Sequence, residues 1–312
     1  MKKIFLILLA LVVVTLCCIY LFIPNVVQHS SGHSSPYRYD AVLRRLKQPA
    51  NWLCWADRQS LLTKDGLLHL SDVSFRADSF SQSALYFSPV APAQGYQLRL
   101  AISPVNGDST RLQWEYRSAT SYNPIQRINR YREAQSVRNA LDQLSAHTNR
   151  YFRHIEGVYG FAIKEAVVSD SLLISTSGNS SSYPDIPFIY SLIDKLYSYL
   201  QQQQAQTSGA PMLNILQQPE GGYLTRVALP VTRELPQQHD ISFKRMLAGG
   251  NILITEVKGG PAQIEKASAQ IENYIKDFKR MSPAIPFLSL VTDRRQQPDS
   301  TQWITRIYYP VM

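Results

Sequence analysis

Two nine-residue stretches near the end of the chain are almost the same sequence. Residues 303–311 read WITRIYYPV, and residues 223–231 read YLTRVALPV, so that seven of the nine aligned pairs are identical or chemically similar. A related five-residue stretch precedes each copy, PMLNI at 211–215 and PFLSL at 286–290. Two matches in the same order indicate an internal duplication.

The segments around these copies repeat one order of predicted elements. Alternating apolar residues predict strands, and apolar residues three and four apart predict helices. The first copy gives strands GFAIKEAVV and SLLIST, a helix beginning near Pro187, and strands PMLNIL and GYLTRVALPV. The second gives strand NILITEV, a helix over 261–280, and strands PFLSLV and WITRIYYPV. Residues 155–312 are therefore predicted to be a strand-helix-strand-strand unit written twice.

This half resembles the gyrase-inhibitor-like (GyrI-like) effector-binding domain. The resemblance is carried by GAP followed by GYLTRVALPV, and by KGGP followed by PFLSLVTD and PDSTQWITRIYYPV. It implies two units related by a pseudo-twofold axis and a groove for small, often cationic or aromatic, molecules. A few members of that family are hydrolases.

Two leucines stand where this family commonly has an acidic residue and a tyrosine. Leu288 and Leu290 occupy those places, and Ala262 stands close to another common tyrosine position. A carboxylate in a groove of low dielectric attracts cations, so its loss removes that preference and the family's candidate acid/base. Leu288 and Leu290 predict a groove that is sealed or purely apolar.

Strand alternation places one arginine of each copy on the same predicted face. Arg226 and Arg306 would approach from equivalent positions, with Tyr308 as a stacking or hydrogen-bonding wall. Guanidinium groups suit carboxylate or phosphate, so these residues predict an anionic or neutral aromatic ligand. The alternative is that both arginines lie in solvent at the rim of the sheet.

The first residues have the length and composition of a membrane span. Residues 4–23 contain no charge in 20 positions, enough to cross a hydrocarbon core of roughly 30 Å. A cleaved signal peptide is the competing interpretation, but no A-x-A site ends the stretch, so we favour an uncleaved anchor. Lys2 and Lys3 predict a single-pass protein of the cytoplasmic membrane, with its N-terminus inside and its domains outside.

Two further regions lie between this span and the duplicated half. Residues 25–36 are polar, which predicts a flexible tether. Residues 37–153 show alternating strands, an Asn-Gly turn at 106–107, and then an amphipathic helix over 124–152. This order, with NWLCW at 51–55, resembles the START-like (SRPBCC, polyketide-cyclase-like) helix-grip domain. The resemblance implies a sheet wrapped around the long helix, with room for an apolar pocket.

Charge and motifs argue against several classes of function. The net charge is +9 without a dense basic run, so nucleic-acid binding is not expected. Only Cys54 lies outside the apolar span, and no Cys or His spacing suggests a metal, so we expect no metal site and no cofactor. No nucleophile or nucleotide-binding motif is present, which favours a non-catalytic protein.

The sequence thus predicts an α+β chain with four parts: a transmembrane anchor (1–24), a linker (25–36), a START-like domain (37–153) and a GyrI-like domain (155–312). The expected function is small-molecule binding or sensing in the groove of the duplicated domain. A scaffold or interaction module with a degenerate groove is the alternative. A hydrolase would need an acid/base pair that the sequence does not offer, and no protein partner is indicated.

Overall fold

The computed structural model describes residues 2–48, 52–55, 67–90, 95–168, 171–238, 240–246 and 249–312. Its contacts divide the chain into two compact units, Met1–Val158 and Tyr159–Met312. The helices are α1 (Lys2–Phe22), α2 (Tyr39–Leu46), α3 (Trp52–Trp55), α4 (Pro124–Phe152), α5 (Ile155–Tyr159), α6 (Ile186–Gln202) and α7 (Pro261–Asp277). The strands of the first unit are β1 (Val26–Ser35), β2 (Leu67–Leu70), β3 (Val73–Phe80), β4 (Ala84–Pro89), β5 (Tyr96–Val105) and β6 (Ser109–Ala119). Those of the second are β7 (Lys164–Val167), β8 (Ser171–Ser180), β9 (Met212–Gln217), β10 (Tyr223–Val231), β11 (Ser242–Met246), β12 (Asn251–Lys258), β13 (Phe287–Leu290) and β14 (Ile304–Val311).

The first unit is a curled antiparallel sheet packed on one long helix. The strand order is β1-β6-β5-β4-β3-β2, and α4 lies against the sheet. Alternate residues of β5 and β6 are buried, because one face of each strand meets the helix. The predicted helix over 124–152 is confirmed, and Asn123 caps it by accepting bonds from two backbone N–H groups of its first turn.

The predicted tether at 25–36 is wrong, because most of it is the edge strand β1. Ten residues of β1 pair with β6, from Val26 opposite Ala119 to Ser35 opposite Thr110. The polar composition concealed a strand whose inward residues form specific bonds. The Ser35 hydroxyl donates to the Phe152 carbonyl at 2.7 Å, for example. Whether a segment forms a strand depends on the distant strand with which it pairs, and local composition does not reveal that strand.

If β1 is part of the folded unit, Val27→Asp will destabilise it. Val27 is buried, and an unpaired carboxylate there should cost roughly 3 kcal/mol of unfolding free energy. The neighbouring Gln28 is exposed, so Gln28→Asp is the matched control and should cost less than about 0.5 kcal/mol. Urea unfolding of the full chain in detergent measures both. Equal effects would mean that this segment does not pack.

His33, also on β1, should make stability depend on pH. Neither ring nitrogen has a hydrogen-bond partner among the described residues, and burial, with Arg153 nearby, lowers the pKa of His33 from 6.5 to about 4. The unfolded chain therefore takes up this proton before the folded one, and stability should be lost as pH falls from about 6.5 towards 4. The His33→Gln variant should show a shallower decline across that window. If the free energy of unfolding falls equally steeply with pH in the unmodified chain and in His33→Gln, His33 does not have this role.

The second unit is an eight-stranded antiparallel sheet with two helices. Its order is β11-β8-β10-β9-β13-β14-β12-β7. The chain makes β8, α6, β9 and β10, and later β12, α7, β13 and β14, so the predicted order of elements occurs twice. Helix α6 packs on β8 and β10, and α7 packs on β12 and β14. The two halves are hydrogen-bonded to each other where β9 meets β13.

The repeated Thr-Arg pair shows how each half divides its residues between two faces. Thr225 on β10 and Thr305 on β14 are fully buried on the side covered by the helices. Because successive side chains of a strand point to opposite faces, the following Arg226 and Arg306 lie on the face away from the helices. We call this second surface the open face.

The described part of the chain contains one helix that is long and apolar enough to cross a membrane. It is α1, of 21 residues, and none of its side chains is buried.

Candidate functional site

The open face of the second unit contains a cavity of about 230 Å³. Its walls are mostly apolar and come from β8, β9, β10, β11, β13 and β14, with Ala284 and Ile285 from the segment that precedes β13. The charged residues in the described lining are Arg226 and Lys244, both cations. An apolar cavity with two cations and no described carboxylate suits an anion that also has an apolar part.

Arg226 is positioned by its strand and by a neighbouring amide. Val227 is buried beneath α6, so alternation turns Arg226 towards the cavity. Its Nη1 donates to Asn214 Oδ1 at 3.4 Å, and Asn214 Nδ2 in turn donates to the Pro286 carbonyl at 3.0 Å. A neutral amide orients the guanidinium without cancelling its charge. Within the described ranges, Arg226 and Lys244 form no ion pair, so both charges remain available to a ligand.

Tyr308, on β14, supports the cavity through Phe287 on the neighbouring strand β13. Its ring stacks on Phe287, with centroids 4.8 Å apart and planes 7° from parallel. The two residues are opposite each other in the β13–β14 ladder, and Phe287 lines the cavity. Tyr308 therefore fixes the aromatic wall without being part of the lining itself.

Arg306 is on the open face but does not join Arg226. Its Nε donates to Glu256 Oε2 at 2.8 Å on the adjacent strand β12, and both side chains are about half exposed. From β10 to β14 there are three strand steps, or roughly 14 Å at about 4.8 Å per step. The structure thus does not bring the two predicted arginines together on one small anion: one lines the cavity and the other is neutralised at the surface.

Leu288 and Leu290 are not on the open face, so placing them at this cavity is wrong. Leu290 is buried in the core beneath α6, and Leu288 packs against that core. In the β13–β14 ladder they lie opposite Ile307 and Thr305, which are buried on the same side. Leu290 is therefore enclosed in the core, whereas Leu288 is only partly buried against it.

A further cation lies on the helix side of this sheet, where the sequence interpretation did not look for one. The Arg294 guanidinium lies 4.8 Å from the Trp303 ring centroid, and its Nη2 is 3.4 Å from Thr305 Oγ1. Burial lowers the pKa of Arg294, which has no ion pair with another described residue. The adjacent Arg295 instead bonds to Asp194 at 2.8 Å. Both sides of the sheet therefore carry an uncompensated positive charge.

Sequence reasoning missed β11 and with it two residues of the cavity. The stretch SFKRM at 242–246 alternates, so that Lys244 and Met246 lie on one face of the strand and Phe243 and Arg245 on the other. The same alternation in PFLSL would have placed Phe287 on the open face. Alternation is present in both stretches, but β11 has five residues and β13 has four, which is too few for alternation to stand out in the sequence.

No family model and no curated protein matches the chain. Solved structures resemble it coarsely. EcmrR in a complex with DNA matches with 16% identity and a TM-score of 0.43, over 61% of this chain and 72% of that one. The protein SAV2435 bound to tetraphenylphosphonium matches with 11% identity and a TM-score of 0.32, over 48% and 94%. The Zhui aromatase/cyclase from Streptomyces sp. R1128 matches with 12% identity and a TM-score of 0.30, over 40% and 93%. At these values the likeness is one of coarse fold, and GyrI-like and START-like membership stay predictions.

The position of Leu290 in the core predicts a clear contrast in stability. Leu290→Ala should lower the free energy of unfolding by roughly 2–4 kcal/mol, because it leaves a void beneath α6. Arg306→Ala removes only an exposed ion pair and should cost less than about 1 kcal/mol. Urea unfolding of the full chain tests both variants. A small loss for Leu290→Ala would place that residue at an open surface instead.

Proposed function

We propose that this chain is a membrane-anchored, non-catalytic protein that binds a small anionic molecule with an apolar or aromatic part. The supporting observation is the open-face cavity, where Arg226 and Lys244 face apolar walls and no described carboxylate competes for them. The size of the cavity, about 230 Å³, is slightly below the usual range of ligand pockets. A ligand of one or two rings fits it, as does one end of a longer molecule.

The proposal includes the location of the protein. Helix α1 would anchor it in the cytoplasmic membrane, and Lys2 and Lys3 favour an N-terminus inside with both units outside. We further propose that the second unit is a GyrI-like domain with pseudo-twofold symmetry, consistent with its strand order, and that the first is a START-like domain.

The chemistry of the lining favours binding over catalysis. Among its described residues there is no histidine, carboxylate or thiol, and the Ser175 hydroxyl has no imidazole or carboxylate beside it in the lining. Hydrolysis by nucleophilic or general acid/base catalysis needs such a pair. Across the described residues, moreover, no group of three His, Cys, Asp or Glu side chains could hold a metal ion.

An interaction module is the second candidate function. The observation that favours it is the packing of Leu288 and Leu290, which fills the helix side at the positions where the related family has polar groups. In that case the open-face cavity would be a feature of the fold without a ligand of its own.

Binding of 2-naphthoate to the full chain in nanodiscs, measured by calorimetry, separates these functions. Arg226→Ala should weaken binding about tenfold or more, since a hydrogen bond to a charged group contributes about 1.5–3 kcal/mol. Arg226→Lys keeps the charge and should lose less. Tetraphenylphosphonium should bind poorly to all forms.

Arg306→Ala is the matched control, because it removes an arginine from the same face outside the cavity. It should leave the affinity for 2-naphthoate unchanged. Absence of binding to the unmodified chain, or an equal loss in Arg226→Ala and Arg306→Ala, would reject the anion site and leave the interaction module.

A further inference from the structure

The connection between α1 and the first sheet is short and hydrogen-bonded. Only residues 23–25 separate the two elements. The Thr120 backbone N–H donates to the Asn25 carbonyl at 2.9 Å, and its hydroxyl donates to the Pro24 carbonyl at 2.8 Å. Thr120 lies just after β6, so the connection is held to the sheet along its length. These hydrogen bonds restrict rotation of α1 relative to the first sheet.

The end of α1 is also fixed, by a residue of α4. The last carbonyls of a helix have no partner within the helix and favour a cation, but α1 has no basic residue in its last turn. Arg127 supplies one, with Nε 3.1 Å from the Ile23 carbonyl oxygen and its guanidinium carbon 4.9 Å from the Tyr20 ring centroid. Arg127 is only 3% exposed. The Tyr20 hydroxyl donates to the Tyr122 carbonyl and adds a second contact between α1 and the start of α4.

These contacts place exposed apolar side chains beside the end of the apolar helix. Tyr122 is 91% exposed and Ile125 is 71% exposed, and Phe22 at the end of α1 is 74% exposed. Single exposed apolar residues are ordinary on a protein surface. Tyr122 and Ile125 differ because they belong to the segment that is bonded to the last turn of a candidate membrane span. Tyrosine in particular is enriched where a bilayer meets water.

We propose that Tyr122 and Ile125, which we call the seating corner, lie in the headgroup region of the bilayer and hold the first unit against the membrane. The inference rests on the proposed anchor α1, and it holds for either orientation of that helix. Its occupant is the lipid surface, since the segment that carries the seating corner is hydrogen-bonded to the end of the candidate membrane span through Tyr20 and Arg127. The first unit would then have one fixed pose on the membrane.

The far end of the same sheet provides an internal control. Strand β1 pairs with β6 over ten residues, from Val26 near the seating corner to Ser35. At about 3.3 Å per residue this ladder is roughly 30 Å long. Asp108, in the turn between β5 and β6, lies beyond its far end and should remain in water.

Nitroxide labels on the full chain in liposomes of phosphatidylcholine and phosphatidylglycerol test the proposal. In a background with Cys17, Cys18 and Cys54 replaced by serine, single cysteines are introduced as Leu21→Cys, Tyr122→Cys, Ile125→Cys and Asp108→Cys. Power saturation compares accessibility to oxygen, which concentrates in lipid, with accessibility to a nickel chelate, which stays in water. The labels at 122 and 125 should show an oxygen-to-nickel ratio several-fold above that at 108 and below that at 21.

A second variant tests whether the bonded joint holds the corner in place. Arg127→Ala removes the contact to the Ile23 carbonyl and should shift the ratio at 125 towards the aqueous value. Arg132→Ala, which removes an exposed arginine of the same helix, should not.

The outcomes separate the inference from the anchor. If the label at 21 is in lipid while those at 122 and 125 match 108, the anchor stands and the seating corner is rejected. If the label at 21 is also in water, both the membrane anchor α1 and the seating corner are rejected. If Arg127→Ala and Arg132→Ala give the same ratio at 125, the joint does not hold the corner and the fixed pose is rejected.

Discussion

The second unit depends on the short ladder that joins β9 to β13. Leu213 lies opposite Leu288, and Met212 opposite Ser289. The Leu290 N–H donates to the Pro211 carbonyl at 2.8 Å and extends the ladder by one bond. Each helix covers two strands of its own half, and this ladder joins the halves in the middle of the sheet, while β7, from the start of the first copy, pairs with β12 of the second. The cavity takes residues from both sides of it and could not form in either half alone.

Duplication of sequence has not produced duplication of chemistry. The repeated Thr-Arg pair gives the same backbone arrangement twice, with threonine buried and arginine on the open face. The residue on the adjacent strand then decides what each arginine can do. Beside Arg226 it is Asn214, a neutral amide that leaves the charge free, and beside Arg306 it is Glu256, which cancels it. One copy can thus serve a ligand while the other stabilises the surface.

Local patterns in the sequence predicted local structure, and distant partners account for most of what they missed. The period of α4 and the faces of β10 and β14 follow from spacing alone, because those elements are long. Strand β1 was missed because its polar residues are stabilised by β6, where the paired residues run from Ala119 opposite Val26 to Thr110 opposite Ser35, far away in the sequence. Arg226 and Lys244 both line the cavity, but Lys244 lies on a strand too short for its alternation to be noticed in the sequence. Leu288 and Leu290 were assigned by family resemblance, whereas the alternation around Phe287 already placed them in the core.

The sign of the charge at the cavity decides which ligands it can take. Two unit charges about 6 Å apart interact by roughly 3 kcal/mol at an effective dielectric of 20. A cation at that distance from Arg226 would be repelled by this amount and an anion attracted by it, a difference of roughly 6 kcal/mol before screening by salt. Hydrophobic contact with the walls is nearly indifferent to charge and cannot reverse such a preference. Only a carboxylate beside Arg226 could, and the sole partner that the described structure gives its guanidinium is the amide of Asn214. That one neutral neighbour, where the second copy has a glutamate, is the feature on which the proposed preference for anions rests.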